Sequence, residues 1–406
     1  MADQAVVTAG SAHSADQTRL PVVVVGAGGM GRAWIATVLR SRSARLVGVV
    51  DVVDGAAASA LADLVPEESQ ADVRTGTDML QVARAAGAAA IIDVTIPEAH
   101  HPVTADALHA GLPVLGEKPC AATLTQALSL AGHSETTGQL FMVSQSRRHN
   151  PHLREAGRLA RELGGAGIVA TRFSRAPHFG GFREQMVQPL IVDMAIHAFD
   201  AARVLVEGTP VSVTATSYNP AWSWYDGDAA ATVVVRYDSG AVHTFEGSWC
   251  SPGAETSWNG EWALSCPTGT VHWDGEGVPV TVPGAGTDGG GGQDPVPGRA
   301  PSEDALWELD SSLEVFCQAV RGRGEPDSEV HENIWTQAIV EAAVRSAAEE
   351  RTVHLSEILD AALEAARELD RADGRSSALE QWDAARSWTG DAARSWNTVG
   401  AGGPAV

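Results

Sequence analysis

Basic residues are in short supply: 28 Lys and Arg stand against 51 Asp and Glu, a formal net charge of −23. Such a charge repels nucleic acid and anionic membranes, so neither is expected as a partner. Cysteine is scarce as well. Cys120, Cys250, Cys266 and Cys317 are scattered, with no C-x-x-C, and the histidines form no H-x-x-x-H, so no metal site is expected. The four read as reduced thiols of a cytoplasmic protein. No apolar run has the length of a membrane span; the longest, such as "PVVVVGAGG", suit strands. The first twenty residues lack the basic start and apolar centre of a secretion signal. A negatively charged cofactor on this acidic chain would need a local device to hold it, such as a helix N-terminus.

What is present is a core: 44% of the 406 residues are hydrophobic, enough for two domains. Residues 1–18 read as disordered. From Arg19 onward, buried-strand patterns ("LPVVVV", "ARLVGVV", "AAAIIDV", "LPVLGE", "QLFMVS") alternate with helical ones. That alternation predicts a doubly wound parallel sheet of the Rossmann type over 19–146. After the helical stretches "PHLREAGRLARELG" and "PLIVDMAIHAFDAARVLVEG" come successive strands with tight turns such as "DSG" and "WNG". They predict an α+β domain over 147–355 with a large, open, mostly antiparallel sheet. "AGTDGGGGQDPVPGRAPS" reads as a loop. Residues 356–406 read as a helical or disordered tail in which "AARSW" occurs twice, at 384–388 and 392–396.

The run "VVVVGAGGMGRAW" carries G-x-G-x-x-G at Gly26, Gly28 and Gly31, between a buried strand and a helix. There one glycine permits the tight turn, one admits a pyrophosphate and one lets helix and strand pack. With Gly29 and Met30 this turn is the expected dinucleotide cradle, on a positive helix end. Asp51 follows at the end of the second strand, where a carboxylate accepts hydrogen bonds from both ribose hydroxyls and repels a 2′-phosphate. Val52 and Val53 offer that phosphate no cation, so NAD is preferred to NADP.

Two further motifs carry a resemblance. "GEKPC" holds Glu117-Lys118-Pro119, and "VDMAIHAFD" sets Asp193 four residues before His197. Together with the glycine turn, "TIPEAHH", "RRHNP" and "VRSAAEERTVHL", these make the chain similar to the Gfo/Idh/MocA oxidoreductases over roughly residues 20–355. The resemblance implies a dehydrogenase acting on a CH–OH group of a sugar, polyol, inositol or glycoside. It implies Lys118, Asp193 and His197 as the catalytic set, and Thr95, Pro97, Glu117 and Lys118 near the cofactor. Residues four apart share one face of a helix, histidine suits proton transfer near neutrality, and an ammonium stabilises an alkoxide. Asp193 either holds the substrate or positions His197. His100 and His101 are open between facing the cofactor and opening a helix. Gln188-Pro189 stands where members of that family often carry glycines, so a different pocket wall is expected there.

Substrate contacts are expected from Lys118, Asp193, His197, Arg183 and Asn150. Arg172, Arg175 and His178 flank the same loop and are either ligands or surface charge. Trp222, Trp224, Trp249, Trp258, Trp262 and Trp273 either face a sugar ring or fill the sheet core. Two other functions stay open: a glycosidase using a tightly held NAD through transient oxidation, and a non-catalytic NAD-binding regulator. The resemblance further implies a homodimer or homotetramer through the C-terminal sheet.

Overall fold

The computed structural model describes residues 19–284 and 294–382. The readings for residues 1–18, for the first half of the glycine-rich loop (285–293) and for both "AARSW" copies lie outside them. The chain divides into two compact units, and neither is continuous in sequence. The first runs to Glu117 and takes back Gln139–Ser144 and Leu309–Asp327; the second holds the rest.

The first unit is a parallel sheet of β1 (Leu20–Val25), β2 (Ala44–Val50), β3 (Arg74–Gly76), β4 (Ala90–Asp93), β5 (Val114–Glu117) and β6 (Phe141–Ser144). Its order is β3-β2-β1-β4-β5-β6, the arrangement of a Rossmann sheet. Covered on both faces, its central strands carry apolar residues on both sides: Val22, Val23, Val24, Ile91 and Ile92 are fully buried. Helix Gly29–Arg40 contributes Trp34 and Ile35 to this core, and helix Ala56–Leu64 contributes Ala57, Ala60 and Leu61. Leu313, Phe316 and Cys317, from the late helix Glu308–Val320, return to the same core. β3 and helix Met79–Ala86 are absent from the sequence reading. β3 has three largely exposed residues and no apolar run, whereas the helix is bounded by Asp78, which caps Gln81 N, and by Gly87 in the left-handed region.

The second unit carries a nine-stranded sheet: β7 (Ile168–Ser174), β8 (Pro210–Tyr218), β9 (Ala230–Tyr237), β10 (Val242–Ser248), β11 (Glu261–Cys266), β12 (Gly269–Trp273), β13 (Val280–Pro283), β14 (Val296–Pro297) and β15 (Val353–His354). Its order is β14-β13-β12-β11-β7-β10-β9-β8-β15; β7 and β10 run parallel and the other pairs antiparallel. Side chains alternate along most of the strands. Val213, Val233, Val235, Phe245, Val169 and Leu264 are buried on one face; Thr214, Thr232, Arg236, Glu246, Arg172 and Glu261 are exposed on the other. Helices Pro151–Glu162 and Val330–Glu349 pack on this sheet. The stretch read as one α-helix is two pieces: a π-helical turn over Leu190–Ala195, then an α-helix over Ile196–Leu205. No described helix is long and apolar enough to cross a membrane.

A buried network holds the helices of this unit. Arg148 Nε donates to Asp200 Oδ2 at 2.8 Å, Thr336 Oγ1 donates to Asp200 Oδ1 at 3.0 Å, and Arg203 pairs with Glu332 at 2.6 Å. Nearby, His331 lies between two carboxylates, Nδ1 2.7 Å from Glu329 and Nε2 3.0 Å from Glu135, and Trp382 Nε1 donates to Glu135 at 2.9 Å. Burial alone would lower the His331 pKa, but the charge of Glu329 and the hydrogen bonds to Glu135 and Glu329 outweigh it and hold it at about 9. The charged imidazole therefore stabilises the fold fully below pH 6.5, and the contribution is lost as pH rises through 9. It amounts to roughly 3 kcal/mol at most. In urea titrations, stability should fall between pH 7 and 10, and His331→Gln should flatten that fall; an unchanged slope in the variant would contradict the assignment.

Candidate active site

The glycine turn of the first unit is dictated by contact. Gly26 has φ +103°, and a Cβ there would lie 2.4 Å from Val94 O. A Cβ on Gly31 would lie 1.9 Å from Gly26 O. Gly28 and Gly29, by contrast, face open space, and helix Gly29–Arg40 begins with no side-chain cap, so its first N–H groups are free for an anion. Asp51 braces the turn: Oδ2 accepts from Ala27 N at 2.7 Å and Oδ1 from Val53 N at 2.8 Å. A carboxylate has about four lone-pair positions, so two stay open toward a ribose. Val52 and Val53 are exposed. Residues and geometry both fit a dinucleotide.

The remaining cofactor candidates are locked into the same unit. Thr95 donates its hydroxyl to the buried Asp93 at 2.7 Å, and Thr104 donates to the other oxygen at 3.0 Å. Pro97 opens helix Pro97–His109. His100 and His101, which follow on that helix, are both buried, and His100 Nε2 is 3.0 Å from Thr95 O. Glu117, at the end of β5, accepts a 2.8 Å hydrogen bond from Trp34 Nε1. The glutamate of EKP is thereby tied to the helix that the glycine turn starts. Sequence reasoning missed this pair, whose members stand 83 residues apart.

Lys118 opens the second unit, through a cis bond to Pro119. Its Nζ donates to Asp193 Oδ1 at 2.8 Å and to the Asp193 carbonyl at 3.1 Å. Asp193 Oδ2 accepts from Arg183 Nε, also at 2.8 Å. Burial would raise the Asp193 pKa, but Lys118 and Arg183 outweigh it and leave it below the ordinary value. The carboxylate is thus spent on two cations. His197 has a buried Nδ1 with no hydrogen-bond partner. It borders a cavity shared with Arg147, Thr171, Met194 and Asn259. Burial first, then the charges of Arg147 and Lys118, push its pKa well below the ordinary histidine value. It is a neutral imidazole at physiological pH. Arg147, not singled out from "RRHNP", is the residue that sequence reasoning missed.

The other candidates separate. Asn150 is buried, and its Oδ1 caps helix Pro151–Glu162 by accepting from His152 N at 2.9 Å. Arg172 is an exposed partner of Glu261; Arg175 lies 4.6 Å over the Trp258 ring and pairs with Glu255. His178 stacks on Trp224 at 3.8 Å. Trp249, Trp262 and Trp273 fill the interior, whereas Trp222 and Trp258 are exposed. Gln188, beside Pro189, donates to Ser217 Oγ at 3.1 Å.

An uncapped helix start after a buried strand, braced by a strand-end carboxylate, is the arrangement of a dinucleotide-binding Rossmann domain. The chain belongs to the GFO/IDH/MocA oxidoreductase family: residues 20–145 match its NAD-binding Rossmann-fold domain and residues 160–272 its C-terminal domain. A relative, the D-apiose dehydrogenase of Paraburkholderia graminis, is 27% identical over 333 residues, which span 75% of this chain and 85% of that one. Two solved structures share the fold. One is an oxidoreductase from Agrobacterium radiobacter in complex with NAD+, L-tartaric acid and magnesium (TM-score 0.72, 19% identity, 84% of this chain and 100% of that one). The other is levoglucosan dehydrogenase with NADH and levoglucosan (TM-score 0.70, 18% identity, 83% and 99%).

The glycines make separable predictions. Gly31→Ala should lower the melting temperature of the unliganded protein, because its methyl group meets backbone. Gly28→Ala should leave that temperature nearly unchanged and remove most of the shift that added NAD produces. Equal melting behaviour of the two variants, with and without NAD, would refute this account of the turn.

Proposed function

We propose that the protein is an NAD-dependent dehydrogenase that interconverts a hydroxyl and a keto group on a sugar or polyol. The observation that carries the reading is the Lys118–Asp193 pair together with a neutral His197 in one unit. Bound NAD supplies the hydride acceptor, or as NADH the donor. Asp193 orients the Lys118 ammonium, which donates a hydrogen bond to the substrate oxygen and stabilises the alkoxide. His197, uncharged, accepts the hydroxyl proton during oxidation; in reduction the proton returns from His197 or Lys118. We assign Asn150 to helix capping rather than to substrate. The sugar or polyol class is supported by relatives named as dehydrogenases and reductases of such compounds. Those names do not favour the retained-NAD glycosidase or the regulator.

The expected result is NADH absorbance on mixing with NAD and one member of a sugar and polyol panel. Lys118→Ala or His197→Ala should reduce kcat/KM by about 10²–10⁴. Because the His197 pKa is lowered, its basic form persists on acidification. Oxidation should therefore hold through pH 6.5 and fail only at lower pH. Arg147→Gln removes one cause of that lowering and should move the acid limb upward. An acid limb above pH 6.5 in the unaltered enzyme would count against His197 as the base.

We also propose a cytoplasmic homodimer or homotetramer built on the outer face of the nine-stranded sheet. That face exposes β-branched residues, Thr214, Thr232 and Ile168. Light scattering should return two or four times the chain mass of 42.3 kDa; a monomer at micromolar concentration would end this reading.

A further inference from the structure

We infer that the substrate is a ring-shaped hydroxy compound carrying a carboxylate, and that Arg183 reads this carboxylate. The inference rests on the Lys118–Asp193–His197 reading above and goes beyond it by naming the charge of the substrate. Arg183 belongs to the short helical turn Phe182–Gln185. Only its Nε is engaged, on Asp193 Oδ2 at 2.8 Å; its two terminal amino groups have no hydrogen-bond partner among the described residues. The side chain is 38% exposed. A guanidinium presenting two parallel N–H groups matches the two oxygens of a carboxylate.

The surroundings support a ligand with a ring. The Arg183 guanidinium lies 5.4 Å from the Phe179 ring centre and 4.9 Å from that of Phe182. Both rings are exposed, which is unusual for phenylalanine. Phe179 continues into Trp258, also exposed, at 6.4 Å. An aromatic face of this kind suits the C–H surface of a sugar ring.

The wall is built to hold its shape. Asp226 N donates to Glu184 O and Asp228 N to Val187 O, both at 2.8 Å. Gly227 lies so close that a Cβ on it would stand 2.2 Å from Val187 O and 2.3 Å from Met186 O. Glu184, the acidic neighbour within the turn, is occupied by Gly180 N at 2.8 Å. Lys118 and Arg183 share the carboxylate of Asp193, one on each oxygen, so Asp193 leaves the terminal nitrogens of Arg183 for another acceptor. A sugar acid offers those two N–H groups a two-pronged acceptor that a neutral sugar lacks.

The test is calorimetric titration of the NAD-loaded protein with glucuronate and galacturonate, each against its parent hexose. The acids should bind about 10- to 100-fold more tightly, the span of a charge-assisted two-pronged contact. Arg183→Gln should cut the preference below about threefold, and Arg183→Lys, which keeps charge but loses the fork, should fall between. No preference in the unaltered protein, or a preference untouched by Arg183→Gln, overturns the inference. NADH read in the same samples separates the two levels. NADH from neutral sugars without acid preference sinks this inference alone; neither binding nor NADH sinks the dehydrogenase reading as well.

Discussion

One carboxylate sets the terms for the whole chemical centre. Asp193 accepts from Lys118 on one oxygen and from Arg183 on the other. Without that negative charge, two cations would be driven apart, each losing water for nothing in return. With it, Lys118 is aimed by two acceptors of one residue, the carboxylate and the main-chain carbonyl. The same commitment prevents Asp193 from orienting His197. The imidazole stands alone, its charge suppressed by burial and two nearby cations. Of the two roles open to Asp193 in the sequence, neither is the one its geometry favours: it positions the lysine.

A second pair of opposite charges carries the framework. Arg148 and Asp200 are buried together and joined by Thr336, so the turn after β6, helix Ile196–Leu205 and helix Val330–Glu349 share one polar knot. Breaking such a pair leaves an uncompensated buried charge and costs about 3–5 kcal/mol. The adjacent residue, Arg147, borders the cavity beside His197. Two neighbouring arginines thus divide into a strut and a group that tunes proton affinity.

Much of the fold was legible because its signals are local. Strands such as "VVVVG" and "AIID" announce themselves by continuous apolar runs, and the later strands by alternation and turn glycines. β3 escaped because it buries almost nothing, and the π-helical turn because its residues have ordinary helical propensities. The chemical motifs were legible for the same reason: EKP and the Asp193–His197 spacing each fit in one short window. Their partners were not. Lys118 meets Asp193 across 75 residues, and Trp34 meets Glu117 across 83. No periodicity reports on such distances. The tryptophans illustrate the limit: an indole in the strand-rich region reads alike whether it fills the sheet, as Trp262 does, or lies exposed in a turn like Trp222.

Lys118 has one more property. It is the sole lysine in 406 residues; every other cationic side chain, histidine aside, is arginine. Guanidinium resists most amine-directed chemistry at moderate pH, because it stays protonated. Acylating or reductively alkylating reagents therefore meet one side-chain amine, and that amine is partly shielded by Asp193. The chain carries a built-in reporter: the rate at which this single side-chain nitrogen is modified reads out how far Asp193 and a bound ligand shield it.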